Sequence, residues 1–436
     1  MDQYIELDIN VEHDGFNECR DLDTSHDEYV GRSIFLRIRK KASDSYAVTA
    51  FGNEFEQDGT LYLEGVIHRS REEIDVVVST LLRGWLKTVV HHQPNEDSAY
   101  TFEGSPVLNF GEDRARQYLA GVGLELARYG YQLFTFLFGK GDAGLARLHT
   151  RLKEALRRAP QTITVISDDL FVPWGMLYVP ADPQTRITAK DAHWDWSGFL
   201  GYTHLIEQTL PTAEHVPPYR IGEHSRRPRA GLQLDLRVLN PDNPTGPLAP
   251  VHAIIDQHTD YVTRSCKQDV ADAFSDPEVI DEILLFGAHG TAERIDDRGQ
   301  LQAQVTLTDD EPIYSSDLDF WLRERKERLQ KPLCFMMVCE AGRTATFLHE
   351  GLGRPLFELG VGCLIGPQIE VPITFAGLYT HRFFRKAFAG TRVAEITRDL
   401  TQEFLGKHAN PLGMIFTLLR GIDTYLVLPG QRKEQQ

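Results

Sequence analysis

Residues 283–294 read "ILLFGAHGTAER", and the way this stretch is taken decides the fold. Six residues, Ile283 to Ala288, are apolar or small and show no alternation. That is the pattern of a strand buried on both faces, as in a parallel sheet covered by helices. The run stops at His289-Gly290, an imidazole followed by the residue that most frees the backbone. A second run of the same kind, "PLCFMMVCEAG" at 332–342, ends in Cys339. A third, "GCLIGPQ", lies at 362–368. Helical patterns lie between and beyond them: "DLDFWLRERKERL" (317–329), "TATFLHEGLGRPLFELG" (344–360), "TFAGLYTHRFFRKAFAG" (374–390) and "TRVAEITRDLTQEFLGK" (391–407). Strand and helix in this alternation predict an α/β fold with a mostly parallel sheet sandwiched by helices.

In such a sheet the carboxyl ends of neighbouring strands share one rim, where residues remote in sequence meet. His289 and Cys339 each end a buried strand, fifty positions apart (339 − 289). A thiol attacks carbonyls only as thiolate, and an imidazole nearby can take its proton or stabilise the anion. Attack on an amide creates an oxyanion that needs preorganised N–H donors. The backbone amides of Gly290 and Cys339 are the candidates for that role. A caspase-type protease carries its His about fifty residues before its Cys. Read singly, either residue has a plain alternative: a cysteine ending an apolar strand is commonly a small buried hydrophobe, and His-Gly is commonly a turn. Metal binding is disfavoured, because no second His or carboxylate stands at ligand spacing from either residue.

A chain of 436 residues with 42% hydrophobic content is long enough for two or three domains. Forty-six basic against sixty-three acidic residues leave a formal charge of −17, which repels nucleic-acid backbones. No run reaches the roughly twenty apolar residues of a membrane span, and the opening "MDQYIELDIN" lacks a signal-peptide pattern. A cytoplasmic protein with neither membrane nor nucleic-acid partner is expected. The five cysteines (Cys19, Cys266, Cys334, Cys339, Cys363) have no Cys-x-x-Cys spacing and are expected to be reduced thiols. No cofactor and no metal is expected.

Upstream, residues 1–100 alternate short β-like runs with acidic turns and carry one amphipathic stretch, "EEIDVVVSTLLRGWLKTVV" (72–90). They predict a small α+β domain, followed by a polar linker at 91–106. Two helical patterns follow at 114–139 and 143–159, then a strand and hairpin in "QTITVISDDLFVPWGMLYVP" (161–180). Residues 180–250 read as a long connection around one strand, "LQLDLRVLN" (232–240). "QLQAQVTL" (300–307) is expected to form a hairpin across "TDDEP", with Ser316 and Asp319 capping the next helix. "NPLGMIFTLLRG" (410–421) leads to an expected last strand, "DTYLVLP" (423–429).

Together these segments resemble the CHAT domain, a bacterial caspase-like cysteine protease domain of clan CD, related to separase. The resemblance is carried by "ILLFGAHG", "VTLTDDEPIYSSDL", "LCFMMVCEAG", "LFELGVGCLIGPQIEVP" and "HRFFRKAF", with "LFVPWGMLY" similar to the Pro-Trp hairpin of the family's pseudo-caspase half. It implies a caspase-like three-layer α/β/α sandwich preceded by the N-terminal domain (1–100). Its non-catalytic half would span 105–225 and its catalytic half 226–430. It implies His289 as base and Cys339 as nucleophile of a regulated endopeptidase in a bacterial stress, cell-death or antiphage pathway. The partners implied are a protein substrate and a protein activator or adaptor docking on the N-terminal domain. By the same resemblance, the loop after the third strand helps form the pocket for the residue before the cut. Glu370 there would select Arg or Lys, with Asp296 and Asp297 as competing candidates. Only twenty-four positions separate Cys339 from Cys363 (363 − 339), so activation is expected through binding or ordering, without an excised linker. No repeat period near thirty-four residues is seen. A scaffold with no activity, or a thiol hydrolase acting on small esters, are the alternative functions.

Overall fold

The computed structural model describes residues 31–56, 62–93, 100–104, 112–167, 169–190, 192–210, 220–237, 245–294, 301–325, 327–340 and 352–430. At 289, 291–294, 301–303 and 338–340 the description is of the backbone.

One large sheet organises the chain. Its strands are β1 (Ile34–Ala42), β2 (Ser45–Phe51), β3 (Tyr62–Ile67), β4 (Thr162–Ser167) and β5 (Leu205–Thr209). After β6 (Arg220–Ile221), which lies outside it, come β7 (Arg229–Leu234), β8 (Asp260–Arg264), β9 (Ile283–Arg294), β10 (Leu301–Thr306) and β11 (Pro312–Tyr314). β12 (Leu333–Glu340), β13 (Cys363–Pro367) and β14 (Phe416–Leu419) complete it, while β15 (Tyr425–Leu426) pairs only with β6. Two parallel blocks make up the sheet. In one, β8, β7, β9, β12 and β13 lie side by side; in the other, β14, β5, β4 and β1 do. They meet at a single antiparallel ladder between β13 and β14, Leu364 opposite Leu419 and Pro367 opposite Phe416. The strands of the two blocks therefore run in opposite directions, and their carboxyl ends emerge on opposite rims.

The helices are α1 (Arg71–Trp85), α2 (Glu112–Phe138), α3 (Ala143–Arg158), α4 (Ala249–His258), α5 (Lys267–Ser275), α6 (Ser315–Arg325), α7 (Arg354–Leu359), α8 (Ile373–Phe388) and α9 (Val393–His408), with a single turn at Leu200–Thr203. Because Phe335 on β12 and Phe286 on β9 are one register step out of phase, they face opposite sides of the sheet. Phe335 meets Phe383 of α8 at 4.9 Å between ring centres. Phe286 meets Phe274 of α5 at 6.4 Å, and Phe274 meets Trp321 of α6. Helices thus cover both faces of this block, which is why its strands read as continuous apolar runs.

The three strands within the first hundred residues extend the common sheet through the parallel β1–β4 ladder. The amphipathic stretch is a core helix: Ile74, Val78, Leu81, Leu82 and Trp85 are buried. "LFVPWGMLY" is a buried loop with one 3-10 turn at Trp174–Met176, held by the Tyr178–Phe199 bridge, and not a hairpin. The last strand of the sheet is Phe416–Leu419, and Tyr425–Leu426 belongs to the small pair outside it. Ser316 lies within α6; the cap there is Asp317, whose carboxylate accepts from the Tyr314 N–H at 2.8 Å. The β10–β11 hairpin forms where expected, Val305 opposite Ile313. No helix among the described residues is long and apolar enough to cross a membrane.

Candidate functional site

The central observation is one of register. β9 and β12 run parallel from Ile283 beside Leu333 onward, and Cys339 is the register partner of His289. Glu340 beside Gly290 is the last pair of the ladder. Fifty residues of sequence separation are thereby reduced to neighbouring positions on adjacent strands, which lie about 5 Å apart.

On its other side β9 changes partner at this level. Up to Gly287 it is paired with β7, Leu234 beside Gly287. From His289 onward it pairs antiparallel with β10, His289 opposite Thr306 and Gly290 opposite Val305. β9 thus exchanges its neighbour at the level of His289, and the rim at the carboxyl ends of parallel strands is the usual place for a ligand in an α/β sheet. Asp235 ends β7 by donating its N–H to the Gly287 carbonyl (2.8 Å). Thr308 Oγ1 accepts from the Leu236 N–H (2.8 Å), and the Arg237 guanidinium donates to Asp235 (2.9 Å), to the Leu307 carbonyl (2.9 Å) and to Asp310. Hydrogen bonds to Asp235, then to Asp310, raise the Arg237 pKa further. The Lys267 N–H bonds Asp309 (2.8 Å) and its ammonium bonds Asp317 (2.7 Å), so the β10–β11 turn is anchored from below. These groups tie the end of β7 to the β10–β11 turn, and the sequence reading did not include them. The signal available was the acidic turn "TDDEP" facing basic Arg237 and Lys267.

Gly290 is buried. Its backbone lies level with Glu340, one step beyond the Cys339–His289 pair. Asp296 and Asp297 lie outside the described residues.

Glu370 lies just past the carboxyl end of β13, the strand next to β12. Ile369 and Val371 on either side of it are buried, which leaves the half-exposed carboxylate as the polar group at this point of the rim. His91, at the end of the turn that follows α1, places Nε2 3.3 Å from the Glu370 carboxylate and stacks at 5.5 Å on Tyr100. This contact from a segment some 280 positions away (370 − 91 = 279) was not foreseen. A carboxylate and an imidazole at the end of an amphipathic helix carry no sequence signal that they will meet.

The other described cysteines differ from a nucleophile in their surroundings. Cys334 and Cys363 are wholly buried, and burial pushes both thiols far up. At Cys266 a backbone hydrogen bond at Asp269 lowers the thiol pKa, but the Asp269 side chain, burial and Asp309 outweigh it, and the net shift is upward. None of these three is poised to ionise near neutral pH.

No family model matches the sequence, and no curated protein matches it. Among solved structures the chain is similar to two crystal structures of the Saccharomyces cerevisiae separase–securin complex. The first aligns at TM-score 0.44 and 9% identity over 91% of this chain, and the second at 0.43 and 9% over 90%. In both cases the alignment covers 30% of the other chain.

Proposed function

We propose that the protein is a cysteine endopeptidase in which Cys339 is the nucleophile and His289 its base. The observation that supports this reading is the register pair itself, placed where β9 exchanges β7 for β10. In the proposed reaction the Cys339 thiol gives its proton to His289, and the thiolate forms a C–S bond with the scissile carbonyl carbon. The amides of Gly290 and Cys339 hold the oxyanion. Collapse breaks the C–N bond as His289 returns the proton to the leaving amine, and water then hydrolyses the thioester. Glu370 on the neighbouring strand end selects Arg or Lys before the cut, by opposite charge in a partly desolvated setting. Activation follows binding of a protein partner to the N-terminal region, in a cytoplasmic stress or defence setting. Residues 105–225 serve as the non-catalytic half and 226–430 as the catalytic half. Sequencing of new N-termini in cells expressing the wild type and Cys339→Ala tests this: neo-N-termini following Arg or Lys, present only with the wild type, are expected. Identical N-terminal profiles would overturn it.

A further inference from the structure

Apart from the β9 and β12 strand ends, and containing none of their residues, lies a cleft of about 670 Å³. One wall is a stripe of α2: Arg128, Tyr131, Gln132, Thr135 and Phe136 recur at three- and four-residue spacing along one helical face. Arg69, between β3 and α1, Lys140, just past α2, and Thr188 complete the lining.

Among the described residues three cations line this cleft and no carboxylate does, in a chain of net charge −17. Arg128 spends two donors on the Ile187 and Ala189 carbonyls, which fixes its guanidinium without neutralising it. The Arg69 guanidinium lies 4.2 Å over the Phe136 ring, and its nearest carboxylate, Glu73, stands 3.6 Å away and is itself engaged in capping α1. Beside the cleft, Arg69 Nε and Thr135 Oγ1 are buried without a hydrogen-bond partner. The volume is that of a small-ligand site, and the mixture of aromatic rings with a few placed cations asks for a ligand with a flat apolar part and an anionic part.

We propose that this cleft binds a small phosphate ester carrying a planar ring, a molecule of nucleotide size. Its phosphate lies between Arg69, Arg128 and Lys140, and its ring lies against Tyr131. Guanidinium groups suit phosphate because their donors match its oxygens in pairs. The proposal stands apart from the protease reading and survives its failure.

Titration calorimetry of the full-length protein with ATP, GTP, AMP, adenosine and inorganic phosphate tests it. At least one nucleotide is expected to bind saturably at one per chain. Adenosine and inorganic phosphate should each bind at least about tenfold more weakly, since each offers half of the recognised chemistry. Lys140→Glu, at an exposed position, is expected to weaken nucleotide binding by about tenfold or more by charge reversal, without moving the melting temperature of the free protein. Arg69→Gln should weaken it similarly. Failure of every nucleotide to bind, or binding undiminished in Lys140→Glu, would overturn the site. Inorganic phosphate binding as tightly as the best nucleotide would overturn the planar half of the ligand.

Discussion

Buried at the entrance to β5, the His204 ring accepts a hydrogen bond at Nδ1 from the Gln161 N–H (2.9 Å), a role open only to the neutral imidazole. Burial holds its pKa down to about 4, against an ordinary value near 6.5. The depressed value means that the unfolded chain binds the proton more tightly. The stability contributed is therefore complete above about pH 6.5 and is lost as pH falls through about 4. From pH 7 to pH 5 this one group should cost up to about 2 kcal/mol of unfolding free energy. Urea titrations at the two pH values check this, and His204→Asn, which keeps an acceptor at the same place, should lose less over that interval. A second residue-scale expectation concerns His91. If Glu370 receives a substrate cation, His91 competes for it, and His91→Ala should lower KM for Arg-containing peptides several-fold while leaving kcat within about twofold. Glu370→Gln should abolish the preference for Arg over neutral residues; unchanged KM values in both variants would remove Glu370 from the pocket. Of these residues, Glu370 was legible as a loop carboxylate after a buried strand, whereas its partner was not, because side-chain meetings between distant loops leave no periodic trace.

At the scale of elements, what the sequence made legible follows how strongly burial dictates pattern. β9, β12 and β13 are covered on both faces, so their apolar runs left no competing reading. β14 was missed because "FTLL" is four residues long, too short for periodicity to separate strand from helix. The edge of the sheet rests on close backbone approach. The Asp142 carboxylate caps α3 at the Leu145 N–H (2.8 Å) and also accepts from the Val66 N–H of β3 (3.2 Å), pinning helix to edge strand. Hydrogen bonding from Leu145 holds its pKa below the usual carboxylate range. At Gly65 an added Cβ would stand 2.4 Å from the Leu145 nitrogen. Gly65→Ala is accordingly expected to destabilise the protein by about 1–3 kcal/mol through forced separation of β3 and α3. Chemical denaturation checks this, and a loss below about 0.5 kcal/mol would mean that the helix start is free to shift.

For the whole molecule, contacts between segments distant in sequence tie β1 and β4 to the C-terminal part of the chain. Arg32, ahead of β1, pairs with Asp423 near the C-terminal end and stands 3.7 Å from Glu207 on β5. Glu207 also accepts from Thr164 on β4 (2.8 Å) and from the Ile422 N–H (2.9 Å). Asn410 donates to the Phe102 carbonyl (2.7 Å), tying the segment after α1 to the end of α9. A chain shortened to begin at residue 105 would lose β1, bare the β4 edge and remove Arg32 from beside the buried Glu207 carboxylate. Such a fragment should be insoluble or lack a cooperative melting transition, and a soluble fragment with an intact transition would show that the first hundred residues fold apart. The proposed catalytic pair is Cys339 and His289, register partners at one strand end. The most direct measurement is peptide mapping by mass spectrometry after treatment with an acyloxymethyl ketone carrying Arg at the position before the cut. One adduct is expected, on Cys339, formed by the wild type at neutral pH and at least about a hundredfold more slowly in His289→Ala, whose thiol loses its base. An adduct on another cysteine, or an undiminished rate in His289→Ala, would contradict it.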